Sequence, residues 1–259
     1  MTIIEESLDD LPGFRRRILI TPGARHVSAA LEDDIHCMLV TLQHDGERIT
    51  GVEPEMDRAP WTSCPGAREV LVRSFIGLPL AAARAPREKR INCTHLYDLA
   101  VLAAAHAADP VAFAYDVLVS DPVSGEQWTE LRHGGRVLHR WQLRDGAIVS
   151  PQALAGRHLM QLRDWIATLD PAAAEAARVL QWASMVAHGR TMPLSRQSDA
   201  AAMQPNCHSF QPEHATTAQR VGRRIDFARA SRAPLAHFDG TRFHDDPQRD
   251  EHPEPPTPD

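Results

Sequence analysis

The stretch Ile35-His-Cys-Met-Leu-Val-Thr-Leu-Gln43 alternates with a period of two, and Asp45-Gly46 follows it at once. Side chains two apart share a face of a strand, so Ile35, Cys37 and Leu39 line one side and His36, Met38, Val40 and Leu42 the other. Both sides carry apolar groups, so the strand is expected to be covered on both. Asp-Gly tolerates the positive φ that a type I′ turn needs at both central positions, and the chain is predicted to return through Glu47 to Glu53. A β-hairpin therefore anchors the fold. An earlier strand is expected from Phe14 to Ile20.

Helix signals follow the hairpin. Ser63 or Cys64 can cap a helix over 65–76 whose first-turn Pro65 costs no hydrogen bond, with Val70, Leu71, Ser74 and Phe75 as its buried stripe and Gly77 at its end. Residues 81–90 read as a basic loop. Asn92 or Thr94 can cap a second helix, with Leu96, Leu99, Ala100, Leu102 and Ala103 on its apolar face, which Asp109-Pro110 stops. The period then returns to two, predicting strands near 112–120, 126–133 and 136–143 separated by Asp121 to Gly125 and by Gly134-Gly135. In the third strand Val137, His139, Trp141 and Leu143 oppose Arg136, Leu138, Arg140 and Gln142, the pattern of an antiparallel meander with one wet face.

Ser150-Pro151 and Asp170-Pro171 each read as the start of a helix, the second ending near Gly189, so an αα-hairpin is expected. After Met192 the pattern weakens, and from His244 the chain is rich in proline and charge, as disordered segments are. The fold class is thus α+β: an N-terminal β-hairpin with two helices, an antiparallel meander, a C-terminal helix pair and a disordered tail. The predicted organisation is a module at 13–108, a sheet and helix pair at 109–190 forming one compact unit with it, a docking tail at 191–243 and disorder over 244–259.

Composition removes several function classes. A formal charge of −6 and a pI near 6.1 leave no basic stripe for a phosphate backbone, so no nucleic-acid partner is expected. The opening residues lack the pattern of a secretory signal, and no run of 18 or more apolar residues follows, so a cytoplasmic protein without a membrane partner is expected. Cys37, Cys64, Cys93 and Cys207 lie far apart with no C-x-x-C pair and read as reduced thiols. There is no Gly-rich phosphate loop, G-x-S-x-G or H-E-x-x-H.

Cys64 and Cys93 both stand at helix starts, where unpaired backbone N–H groups favour the thiolate, the form that attacks carbon or ligates a metal. His95 is two residues from Cys93. If both helix starts meet over the hairpin, Cys64, Cys93 and His95 with a hairpin residue such as His36 or Asp34 form a mixed sulfur and nitrogen site suited to zinc or iron. Simpler readings exist: Cys37 between Ile35 and Leu39 as a small buried hydrophobe, His139 beside Trp141 as packing, and Arg15-Arg16-Arg17 and Arg220 to Arg232 as solvated cations. Cys207-His208 followed by Glu213-His214 has the composition of a ligand cluster.

The order of these motifs resembles a bacterial family catalogued as a domain of unknown function, number 2889. The matching features are Arg15-Arg16-Arg17 on the first strand, His36-Cys37-Met38, Cys64-Pro65 before a helix ending at Gly77, and Cys93-Thr94-His95-Leu96. The resemblance covers 13–108, with the helix pair and Cys207 to Pro212 fitting more loosely; Cys37 stands where an acidic residue is expected. The layout of a hairpin followed by cysteines at two helix starts is also similar to NifU-type iron–sulfur scaffolds, a likeness of fold alone.

These readings point to a small-molecule enzyme of bacterial catabolism, lyase or hydrolase in type. In a metal version Cys64, Cys93, His95 and His36 would hold zinc or iron, which polarises a carbonyl or activates water; in a metal-free version Cys93 or Cys64 would be the catalytic thiolate with His95 as proton carrier. The competing expectation is a non-catalytic metal or iron–sulfur accessory protein. A homo-oligomer is expected from the apolar helix pair.

Overall fold

A computed structural model describes residues 7–83, 89–192, 199–221 and 223–244. The fold is α+β, with eight strands and three main helices among the described residues. The chain divides into two compact units, one of Met1–Arg17, Tyr115–Met192 and Asp226–Pro234, the other of Ile18–Ala114, Pro193–Ile225 and Leu235–Asp259. Strand β1 (Gly13–Pro22) contributes residues to both.

In the second unit the strand order is β4-β3-β2-β1, with β2 at His26–Asp33, β3 at Cys37–His44 and β4 at Ile49–Arg58. The β3–β4 hairpin stands where Asp45-Gly46 predicts it, but its turn differs. Asp45 does not adopt positive φ; its carboxylate instead accepts the N–H groups of Glu47 and Arg48 at 2.9 and 2.7 Å, closing a longer loop. Strand β2 is an addition to the sequence reading. All of its residues but His26 are buried, so it lacks the alternation that marks a half-wet strand. Its pairing with β3 makes Ile35 and His36 part of a tight turn, and the strand begins only at Cys37.

Helix α1 (Ala67–Phe75) follows a single turn at Cys64–Gly66, close to the predicted 65–76, and α2 (Leu80–Ala83) adds a short turn where a loop is expected. Helix α3 (Thr94–Ala105) has Cys93 as its N-cap and buries Leu96, Leu99, Ala100 and Ala103, as its period predicts, against β2 and β3.

The other unit holds the meander in the order β5-β6-β7-β8, at Phe113–Ser120, Glu126–His133, Arg136–Arg144 and Ala147–Ser150. Strand β8 extends the prediction by one hairpin, made by Asp145 and Gly146 at φ 50° and 81°, the positive pair of a type I′ turn. The expected helix after Ser150-Pro151 does not form, so there is no helix pair. That segment breaks into short turns and α4 (Arg163–Ile166), because Gly156 at φ 81° leaves helical geometry and the chain bonds back to β8 through Ile148. The long helix α5 (Pro171–Thr191) does form, and Asp170 caps it through the N–H groups of Ala172 and Ala173.

Arg16, expected as a solvated cation, is buried over the rings of Phe14 and Trp182, 5.2 and 4.5 Å from their centroids. Arg224 is likewise buried. No helix among the described residues is long and apolar enough to cross a membrane. The predicted disorder falls, apart from His244, on residues 245–259, outside those described.

Candidate metal centre

The tip of the β2–β3 hairpin carries the densest set of buried donors. Glu32 pairs with Cys37 across the strands, so alternation sends Glu32 and Cys37 to one face and the next pair, Asp33 and His36, to the other. Asp33 closes the turn with its own side chain: Oδ1 accepts the N–H groups of Ile35 and His36 at 2.8 and 2.7 Å and lies 3.1 Å from His36 Nδ1. A donor hydrogen on Nδ1 leaves Nε2 of His36 to offer a lone pair. Arg58 from β4 straps the hairpin by donating to the carbonyls of Asp33 and His36 and pairing with Glu32.

Helix α3 supplies the third member on the Asp33 face. His95 in its first turn stacks on His36, with ring centroids 3.8 Å apart and planes 27° from parallel. Asp33, His36 and His95 are all buried, and each offers a ligand atom within 4.8 Å of the other two. Two imidazoles and a carboxylate suit zinc or non-haem iron. On the opposite face Glu32, Cys37 and His237 form a second set of three donors within the same limit.

The site residues expected from sequence are thus divided. His36 and His95 come together; Cys64 and Cys93 join neither donor set among the described residues. Cys93 is the extended N-cap of α3, whereas His95 lies in its first turn and is the one of the two that joins Asp33 and His36. Cys93 instead shares its surroundings with Cys64 and Cys207, both of which raise its pKa, as Cys64 does that of Cys207. Cys64 Sγ lies 3.3 Å from Ser209 Oγ.

Burial reverses the expected effect of the helix start on these thiols. It pushes Cys93 far above the ordinary thiol range, Cys64 adds to the shift, and the N–H groups of Leu96 and His95 oppose it only in part. Burial likewise raises Cys64 and pushes Cys207 up to about 11. A thiolate at Cys93 or Cys64 is therefore disfavoured at neutral pH. His208 lies 4.0 Å from the His214 ring, centroid to centroid, and burial followed by that neighbour lowers its pKa. His139 packs against Trp141 and Trp165 and meets the Ala173 carbonyl at 3.0 Å, a structural role.

Sequence reasoning missed Asp33, Glu32 and His237. A run of three carboxylates at Glu32-Asp33-Asp34 before an alternating segment is the one local trace of the first two; nothing local marks the third. No protein-family model, curated protein or solved structure matches the chain.

Proposed function

We propose that this chain is a metal-dependent enzyme of lyase or hydrolase type acting on a small molecule, with zinc or iron held by Asp33, His36 and His95. The observation that carries this reading is the convergence of two imidazoles and one carboxylate, all buried, within 4.8 Å. Three such ligands leave a coordination position open, as catalytic sites do, whereas structural zinc is closed by four protein ligands. The ion would supply Lewis acidity, polarising a carbonyl or activating water. Asp33 would fix the His36 ring, and the stacked His95 would complete the donor set. The alternative of a nucleophilic Cys93 or Cys64 draws no support from thiols held protonated by burial.

One observation favours a second reading, a non-catalytic iron–sulfur accessory protein: Cys64, Cys93 and Cys207 gather in one neighbourhood. The burial of Cys64 and Cys93 counts against handing a cluster to a partner surface.

The test is metal analysis of the full chain purified without oxygen, then turnover of a panel of small esters, amides and hydroxy acids before and after chelation. Bound zinc or iron that follows His36 and His95, with activity removed by chelation and restored by the metal, supports the enzyme. Visible absorption after reconstitution with iron and sulfide, lost in Cys93→Ser, supports the scaffold. Absence of metal in every preparation ends both readings.

A further inference from the structure

On the face of the hairpin away from His95, Glu32 and Cys37 meet His237 from the segment after Pro234. Glu32 and Cys37 are fully buried, and the His237 side chain is 8% exposed. His237 Nε2 lies 3.8 Å from Cys37 Sγ, and Nδ1 lies 3.6 Å from Glu32 Oε2, beyond hydrogen-bonding length. Nδ1 has no hydrogen-bond partner although it is buried. A buried imidazole nitrogen that faces a carboxylate oxygen at 3.6 Å without a hydrogen bond is placed so that the two groups could share an ion.

The surroundings match such a role. Glu32 is held in place by Arg58 on Oε1 at 3.3 Å and by the Leu235 N–H on Oε2 at 2.7 Å. Leu235 adopts φ 64°, a conformation a bulky residue takes only under constraint, to present that N–H. Ala30, Leu39 and Leu235 pack there with Leu19, Phe238 and Phe243, and Phe243 stacks on His237 at 5.3 Å. This apolar shell restricts water at the donors.

We propose that Glu32, Cys37 and His237 form a second metal site, distinct from Asp33, His36 and His95, that takes a zinc-type divalent cation and clips the segment around Leu235–His244 onto the β2–β3 hairpin. A thiolate, an imidazole and a carboxylate are the donor types zinc accepts, and sulfur separates this site from the purely nitrogen and oxygen set across the hairpin. The two sites share no donor, so this one stands or falls independently of the proposed enzyme centre.

Cobalt(II) is the probe, added to the metal-free full chain, because thiolate ligation gives a sulfur-to-cobalt charge-transfer band in the near ultraviolet. The expected result is that band in the native chain and in Cys64→Ser, Cys93→Ser and Cys207→Ser, and its loss in Cys37→Ser and His237→Gln. His237→Gln decides the matter if Cys37→Ser does not fold, and circular dichroism of each metal-free variant identifies that case. No band in the folded native chain, or a band that survives Cys37→Ser or folded His237→Gln, overturns the proposal.

Discussion

The imidazole of His95, from the first turn of α3, lies 3.8 Å from that of His36, at the tip of the β2–β3 hairpin. This stack joins a helix start to a strand turn more than 50 residues earlier, and both rings are buried. Truncation by His95→Ala removes a buried ring and is expected to cost about 2–3 kcal/mol. His95→Phe keeps the stacking volume and should stay within about 1.5 kcal/mol of the native chain while losing the donor nitrogen. Urea unfolding of the metal-free proteins measures both; equal losses would show that packing does not explain the stack.

Asp33 tests the turn apart from the metal. Asp33→Ala leaves the N–H groups of Ile35 and His36 buried without their acceptor, at about 1–3 kcal/mol each. Asp33→Asn preserves an oxygen in that position and is expected to cost under about 1 kcal/mol. Chemical denaturation of the chelated variants distinguishes the two, and a large loss in Asp33→Asn would mean that the turn depends on charge.

The thiols set a pH dependence with a definite sign. Cys207 is pushed up from the ordinary value of 9.0 to about 11, so the unfolded chain releases its proton first as pH rises. Its contribution to stability is present below pH 9 and is lost as pH climbs through about 11. Thermal unfolding of the metal-free chain between pH 8 and 11 should therefore fall less steeply in Cys207→Ser. Iodoacetamide should label native Cys207, the one partly exposed thiol of the four, before Cys93 or Cys64, with a rate rising about tenfold per pH unit below 11. Fast labelling of Cys93 at pH 7 would restore the nucleophile reading.

Glu130, fully buried on β6, pairs with Arg132 on its own strand and Arg140 on β7, and Arg132 also meets Asp9 at 2.9 Å. Removing the shared carboxylate takes the Glu130 partner from Arg140 and leaves Arg132 with Asp9. Glu130→Ala is expected to cost about 3–5 kcal/mol, read as a lowered urea midpoint, with Arg140→Ala also destabilising because it strips a cation from buried Glu130. A Glu130→Ala protein as stable as the native chain would remove this network from the account of the meander.

The parts of the fold with strong local signals were legible in sequence. The β3–β4 hairpin, α1, α3 and three meander strands follow from hydrophobic period and turn chemistry. Strand β2 hides because its two covered faces leave no alternation, and the segment after Pro151 mimics a helix by apolar spacing that backbone pairing to β8 overrides. For the site, His36 and His95 were legible as residue types, yet adjacency in sequence misleads for Cys93 and His95, since only His95 joins a donor set. Asp33 and His237 become donors only through pairing and a contact 200 residues distant, neither of which leaves a local pattern.

The most direct test of the central claim is the zinc and iron content of the full chain, compared between His36→Ala with His95→Phe on one side and the triple Cys64→Ser, Cys93→Ser, Cys207→Ser variant on the other. Cobalt titration of the chelated proteins, carried out in a His237→Gln background that removes a donor of the second site, reads the thiolate-free site by its ligand-field band. The triple variant is expected to keep this nitrogen and oxygen site, and the two histidine variants to lose it while remaining folded. A metal that leaves with the cysteines and persists in folded His36→Ala and His95→Phe would contradict that claim.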